Sequence, residues 1–297
     1  MRLLQELRER GTIAATAAAL HLTPSAVSQQ LRVLSREVGA PLLVRNGRGV
    51  RLTPQAHVLL EHAVRVNAQL ERARADLAAH GHGELGRLVI GAFATAIRGP
   101  IARAAVSLRR DLPLLEVGVV EIEAPDCLSA LLAGDLDIAV TVDYRGGPSR
   151  RDARFHRVEL LIDPFDAVLP DSHTAARNPT LELAELAEER WIVGAGTGPC
   201  YEVTASACAA AGFSPDVHSR VSDWGAVTAL VAAGTGVAIV PRLALGADLP
   251  GVAVRPINPR PPTRNIYAAV RAGAEQARTV KHALAALEVA AGHALAS

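Results

Sequence analysis

Leu59, Ala63, Val66, Leu70, Ala73 and Leu77 follow one another at alternating steps of four and three residues. That spacing keeps apolar side chains on one seam of a two-stranded coiled coil. The segment opens at Thr53-Pro54, a capping residue followed by a proline suited to a first helical turn, and the pattern predicts a helix to about Ala79. At 1.5 Å per residue, about 26 helical residues extend about 39 Å. The 53 residues before Pro54 make too small a body to bury such a seam, so a second copy of the chain is its natural partner.

Those residues hold two helical patterns with very little chain between them, the first ending at Leu20-His21-Leu22 and the second opening at Thr23-Pro24-Ser25. Thr23 caps the second helix and Pro24 needs no backbone donor in its first turn. Val27, Leu31, Leu34 and Val38 fall on one stripe of it, while Ser25, Gln29, Arg32 and Arg36 fall on the opposite side. One face packs and the other is free to read something. Leu42–Val44 and Val50–Leu52 flank a turn carrying Arg45, Arg48 and Arg51, which predicts a basic β-hairpin, or wing. The net charge of +1 hides an asymmetry: residues 1–75 carry eleven arginines against five acidic residues, and the remainder twenty basic against twenty-five acidic. A basic front and an acidic body predict that only the front meets a polyanion.

At 297 residues the chain has room for two domains. His80-Gly81-His82-Gly83-Glu84 reads as the joint between them. Beyond it, strands predicted at Arg87–Phe93, Leu115–Glu121 and Leu136–Thr141 alternate with helices near Pro100–Arg110 and Pro125–Ala133, the rhythm of a parallel βαβ sheet. The rhythm continues through Ala167–Leu169, Trp191–Val193, helices near Tyr201–Ala211 and Trp224–Ala233, and Gly236–Pro241. Pro164 and the proline-rich stretch 256–262 mark where the chain crosses between two lobes and returns. No apolar run approaches the roughly 18 residues of a membrane span, which together with the charged N-terminal turns predicts a cytoplasmic protein. Three cysteines, Cys127, Cys200 and Cys208, lack CxxC spacing and predict reduced thiols rather than a disulfide framework or a zinc site.

The order and residue types of Thr12-Ile13, Ala17, the run from Leu20 to Leu31, Gly39–Arg45 and Val50–Pro54 resemble the headpiece of LysR-type transcriptional regulators. Further on, Val231–Arg242 and Gly134–Ala139 resemble that family's C-terminal and earlier signatures, so the similarity covers the whole chain. It departs at Leu43, Ser35 and Ala56, where the family usually has Phe, Glu and Gly. The resemblance implies an α+β chain in two parts: a winged helix-turn-helix over 1–53 with a linker and dimerisation helix over 54–82, then a two-lobed α/β effector domain over 83–297 like the periplasmic binding proteins. One lobe of that domain would span about 86–162 with 265–297, and the other about 163–264. It also implies a homodimer through the linker helices, further assembly to a tetramer, and RNA polymerase as a candidate further partner.

On that reading the second helix lies in the major groove of double-stranded operator DNA. Thr23, Pro24, Ser25, Ser28 and Gln29 sit at its reading end: Gln can address adenine through paired donor and acceptor, Ser serves either role, and the Pro24 ring can touch a thymine methyl. Arg32, Arg45, Arg48 and Arg51 suit phosphate contacts, which give affinity without sequence choice. Taken alone, a polar helix face and a basic hairpin also describe an ordinary solvated surface; cap, seam and wing in this order favour DNA.

In two-lobed α/β domains small molecules bind at strand C-termini, where helix N-termini offer free backbone donors. Thr95 and Ala96, Val142, Thr197 and Gly198, and Ser222 and Asp223 occupy such places and match the family's effector-contact regions, with Arg98 placed to pair with a carboxylate. Each of them taken singly reads equally well as a turn or cap residue.

Other chemistries fit less well. Gly194–Pro199 has the glycine density of a dinucleotide loop but not its spacing. No nucleophile elbow and no metal-spaced histidine pair is visible among the ten histidines, so neither an enzyme nor a cofactor is expected. Peroxide-sensing members of the family carry two redox cysteines nine residues apart in the region of Cys200 and Cys208, which here are eight apart. Along a helix that spacing is about 12 Å, beyond disulfide reach without local unfolding. Thiol-redox sensing through this pair is the alternative to a small-molecule effector.

Overall fold

The computed structural model describes residues 1–47, 49–80, 86–196, 198–246 and 248–294, leaving the side chains of Arg2 and residues 78–80 aside. Arg48, Thr197 and most of the 80–84 joint therefore lie outside the described residues. The chain divides into two compact units, Met1–Ala73 and Arg74–Ser297.

The first unit opens with α1 (Arg2–Arg10), α2 (Ile13–Ala19) and α3 (Pro24–Val38). The sequence predicts one helical pattern up to Leu20, and the structure breaks it in two. Gly11 ends α1 in the left-handed conformation (φ 72°), and the Thr12 hydroxyl then accepts from the Ala15 amide at 3.1 Å to start α2. An alanine-rich run has no strong period of its own, so one glycine and one cap decide the outcome. His21, with a positive φ of 53°, turns the chain toward α3. There the Thr23 hydroxyl accepts from the Ala26 amide at 3.2 Å, with Pro24 in the first turn.

The wing pairs β1 (Leu43–Asn46) with β2 (Gly49–Leu52) in antiparallel register. The Thr53 hydroxyl accepts from the Ala56 amide and donates to the Pro41 carbonyl, tying the start of α4 (Pro54–His80) to the wing. Leu4, Leu7, Val27, Leu31, Leu42, Leu52, Ala56 and Leu60 form one core, so the first turns of α4 belong to the headpiece. Each buried leucine contributes about 1.5–3 kcal/mol.

The second unit is built on two lobes that share long strands. In the first, β3 (Arg87–Ala92) runs parallel to β4 (Glu116–Glu121) and β5 (Ile138–Val142), as predicted. Helices α6 (Ala102–Asp111) and α10 (Arg278–Gly292) share a core with one face of this sheet, and α7 (Asp126–Ala133) with the other. A single turn, α5 (Ala94–Ala96), leads through a π-helical turn at Ile97–Ile101 into α6. The wholly parallel sheet does not hold beyond these strands. The 16-residue β6 (Phe155–Pro170) and β11 (Thr263–Arg271) are antiparallel to each other, and β11 to β5. Strand β6 continues unbroken through Pro164 and pairs antiparallel with β9 (Ala238–Pro241) and β10 (Val252–Pro256) of the second lobe. At 3.3 Å per residue it is about 50 Å long, enough to serve both lobes.

The second lobe also contains β7 (Arg190–Val193), parallel to β8 (Asp216–Arg220). Its core has two parts: α8 (Pro199–Ala210) packs with Phe165, Leu186 and Trp191, and α9 (Trp224–Ala232) packs with Val168, Ile192 and Val240.

Candidate functional site

On the first unit, α3 buries Val27 and Leu31 and leaves Pro24, Ser25, Gln29 and Arg32 exposed. The Ser28 hydroxyl donates to the Pro24 carbonyl at 2.8 Å and the Arg32 Nε to the Ser28 carbonyl at 3.3 Å. Thr23 spends its hydroxyl on the cap and lies 3.0 Å from the Ser25 hydroxyl. Arg45 on β1 and Arg51 on β2 are exposed on the wing. The side-chain amide of Gln29 has no intramolecular hydrogen bond among the described residues and is free to pair outward. Along α4, Leu59 packs against the headpiece core, whereas Val66 and Leu70 are 58% and 55% exposed.

The second unit has its most unusual chemistry where β6 and β11 pass between the lobes. Arg264 is 4% exposed and Asp163 wholly buried. Both Nε and Nη2 of Arg264 donate to Asp163 Oδ2, at 3.0 and 2.8 Å, and Nη2 also donates to the Thr95 hydroxyl at 2.8 Å. Among the described residues Nη1 reaches only the Cys200 Sγ, at 3.4 Å. The Phe93 and Phe165 ring centres lie 4.9 and 5.8 Å from the guanidinium carbon. One side chain thus joins the loop after β3, the first turn of α8 and both crossing strands. Asp163 Oδ1 accepts from the Leu243 amide, extending the group to the segment after β9.

Burial raises the Asp163 carboxyl above the usual carboxylate range, against the pull of Arg264. It likewise raises the Cys200 thiol. The Cys208 thiol is pushed up to about 12, also by burial.

Family models match along nearly all of the chain: "Bacterial regulatory helix-turn-helix protein, lysR family" over residues 1–57 and "LysR substrate binding domain" over residues 81–291. The chain is a LysR-family transcriptional regulator. The regulator is 30% identical over 232 residues to the uncharacterized HTH-type transcriptional regulator YnfL of Escherichia coli K12, covering 76% of this chain and 75% of that one. It is 31% identical over 245 residues to the small neutral protease regulatory protein of Streptomyces coelicolor, covering 80% and 75%. Full-length CbnR complexed with its target DNA superposes with a TM-score of 0.57 at 22% identity, covering 96% of this chain and 98% of that one. A cysteine mutant of OxyR from Corynebacterium glutamicum gives 0.64 at 23%, covering 99% and 91%. At these identities the likeness is one of fold. It agrees with the expected headpiece and two-lobed effector domain.

The regulator therefore has a DNA-binding headpiece and an effector-binding domain. Of the expected effector residues, Thr95 is gathered into the Arg264 group and Ala96 is buried beside it in sequence. Gly198 is the N-cap of α8, and Val142 lies in the core of the first lobe. Arg98 donates to the Ala244 and Leu243 carbonyls at 2.6 and 3.5 Å, so its guanidinium braces the segment after β9. Asp223 caps α9 through the Ala226 amide at 2.7 Å, and Ser222 is exposed beside it. Asp163 and Arg264 were not anticipated. Each reads in sequence as an ordinary charged residue on a strand, and they stand 101 residues apart. Among the described residues no helix is long and apolar enough to cross a membrane, and no cluster could hold a metal ion.

Proposed function

We propose that this regulator reads a specific operator with the N-terminal half of α3, holds the flanking phosphates with its wing, and changes its DNA-bound geometry when a small molecule enters the cleft around Thr95 and Arg264. The observation that carries the DNA reading is the exposed polar face of α3, with Gln29 unpaired among the described residues, beside a basic hairpin, on a headpiece whose core is complete without it. The solved complex of CbnR with its target DNA supports the same use of the fold. The regulator acts as a dimer through α4 and assembles further to a tetramer.

Gln29→Ala is expected to weaken operator binding by about 1–3 kcal/mol, the value of a bidentate base contact, and to leave binding to random DNA nearly unchanged. Arg51→Ala should weaken both by similar factors and reduce the salt slope by about 1. Fluorescence anisotropy on an operator selected from the DNA flanking the gene, over a salt series, measures both. Equal losses on operator and random DNA for Gln29→Ala would remove Gln29 from base reading.

The cleft is tested at Gly198, where an added Cβ meets nothing within 4 Å and φ is an ordinary −73°. Gly198→Trp is expected to fold, bind operator normally and abolish the effector-dependent change in footprint. An intact response would place the ligand elsewhere. A ligand can act only through its different affinity for the two arrangements of the protein, so blocking its entry freezes one of them. The thiol-redox alternative is less well supported: Cys200 and Cys208 share α8, and burial holds both as thiols rather than reactive thiolates.

A further inference from the structure

We infer that Thr53 is a positioning residue for operator recognition: by tying α4 to the base of the wing it sets the spacing of the two half-sites that a dimer reads. This role rests on the α4 dimer and the operator contact of α3 proposed above. Thr53 is 3% exposed, and its hydroxyl serves two elements at once. It accepts from the Ala56 amide at 3.1 Å in the first turn of α4, and it donates to the Pro41 carbonyl at 2.7 Å. The Thr53 amide adds a bond to the Leu42 carbonyl at 3.1 Å. From the same short segment the Leu42 amide donates to Ser35 Oγ at 3.4 Å, and the Ala40 amide to the Ser35 carbonyl at 3.2 Å. Residues 40–42 are therefore fastened to α3 on one side and to the start of α4 on the other, and β1 of the wing begins at the next residue.

A helix cap needs only an acceptor, so the bond to Pro41 goes beyond capping. Ala56 and Leu60 hold α4 on the headpiece core, but apolar burial is non-directional, whereas a hydrogen bond weakens steeply as its angle closes. The direction in which α4 leaves the headpiece is thus fixed most sharply at Thr53. The lever beyond it is long. Val66 lies 13 residues further on, about 20 Å along the helix axis. A tilt of about 10° at the pivot moves that point by about 3 Å, close to the rise of one base pair, about 3.4 Å. In a two-fold dimer both headpieces turn together, so the separation of the two α3 helices, and with it the half-site spacing, follows the tilt.

Three substitutions separate the cap from the tie. Thr53→Ser keeps both hydroxyl bonds. Thr53→Asp keeps an acceptor for the Ala56 amide, well suited to a helix N-terminus, but as a carboxylate has no proton for the Pro41 carbonyl. Thr53→Val keeps the branched shape and loses both bonds. Fluorescence anisotropy follows the full-length regulator on duplexes carrying one copy, or two inverted copies, of a half-site that the wild type selects from random DNA, with the spacing varied one base pair at a time. Wild type and Thr53→Ser are expected to bind at least about tenfold more weakly three base pairs away from the best spacing. Thr53→Asp and Thr53→Val are expected to bind the single half-site within about threefold of wild type, and the best and displaced spacings within about threefold of each other. A full spacing preference in Thr53→Asp would leave Thr53 as a cap alone and overturn the inference; if that variant does not fold, Thr53→Val decides in the same way. Equal losses on single and paired half-sites would place the effect in the headpiece fold and overturn it as well. A wild type with no spacing preference would bring down the dimer reading itself, and this role with it.

Discussion

Replacing Asp163 by alanine is expected to lower the stability of the second unit by about 3–5 kcal/mol, the loss met when one member of a buried ion pair is removed and the other stays behind. Among the described residues Arg264 would keep only the Thr95 hydroxyl and the Cys200 thiol as acceptors, and the Leu243 amide would lose its partner as well. The pair need not be favourable in itself, because withdrawing each ion from water costs several kcal/mol. Asp163→Ala combined with Arg264→Met should therefore recover most of the loss, since it removes the stranded charge and leaves an apolar side chain between Phe93 and Phe165. Both tryptophans of the chain, Trp191 and Trp224, belong to the second lobe. Urea unfolding followed by their fluorescence thus reports on this unit. A single variant within about 1 kcal/mol of the wild type, or a double variant no better than the single one, would show that the guanidinium is not stranded.

What the sequence makes legible is whatever is encoded within a few residues. Thr23-Pro24 and Thr53-Pro54 announce helix starts because cap and first turn are adjacent, and each threonine hydroxyl does accept from the amide three residues on. The wing is legible because its turn lies between its own strands. The division at Gly11 is not, because the alanine-rich α2 has no distinct stripe to set it apart from α1, which buries Leu4 and Leu7. Strand β6 is legible only in part. The sequence shows a strand at Ala167–Leu169 and a crossing at Pro164, but not that one strand runs from Phe155 to Pro170 through that proline, which a strand tolerates where its missing N–H is not needed. The largest omission, Arg264, has partners 101 and 169 residues away. No local pattern can distinguish it from the other arginines of the chain. Thr95 and Gly198 could be anticipated because a position after a strand or before a helix is itself a local signal.

The second large effect concerns the seam on α4. Leu60 and Ala56 are spent on the headpiece core, which leaves Val66 and Leu70 exposed, one helical turn apart, on a helix that extends well past the headpiece. If these residues face their copies across a two-fold axis, Val66→Asp combined with Leu70→Asp places four carboxylates in one apolar seam, each change being felt twice. The dimer of a 1–82 fragment is expected to weaken by about 3 kcal/mol or more, roughly a hundredfold in dissociation constant. The fold of each headpiece should be retained, because neither residue belongs to its core. Sedimentation velocity on the wild-type and variant fragments reads the assembly, and circular dichroism confirms that the helices persist. An unchanged dimer would mean that α4 is not the interface. Loss of helix content together with the dimer would mean instead that α4 depends on its partner to form, as a seam with nothing else to cover it requires.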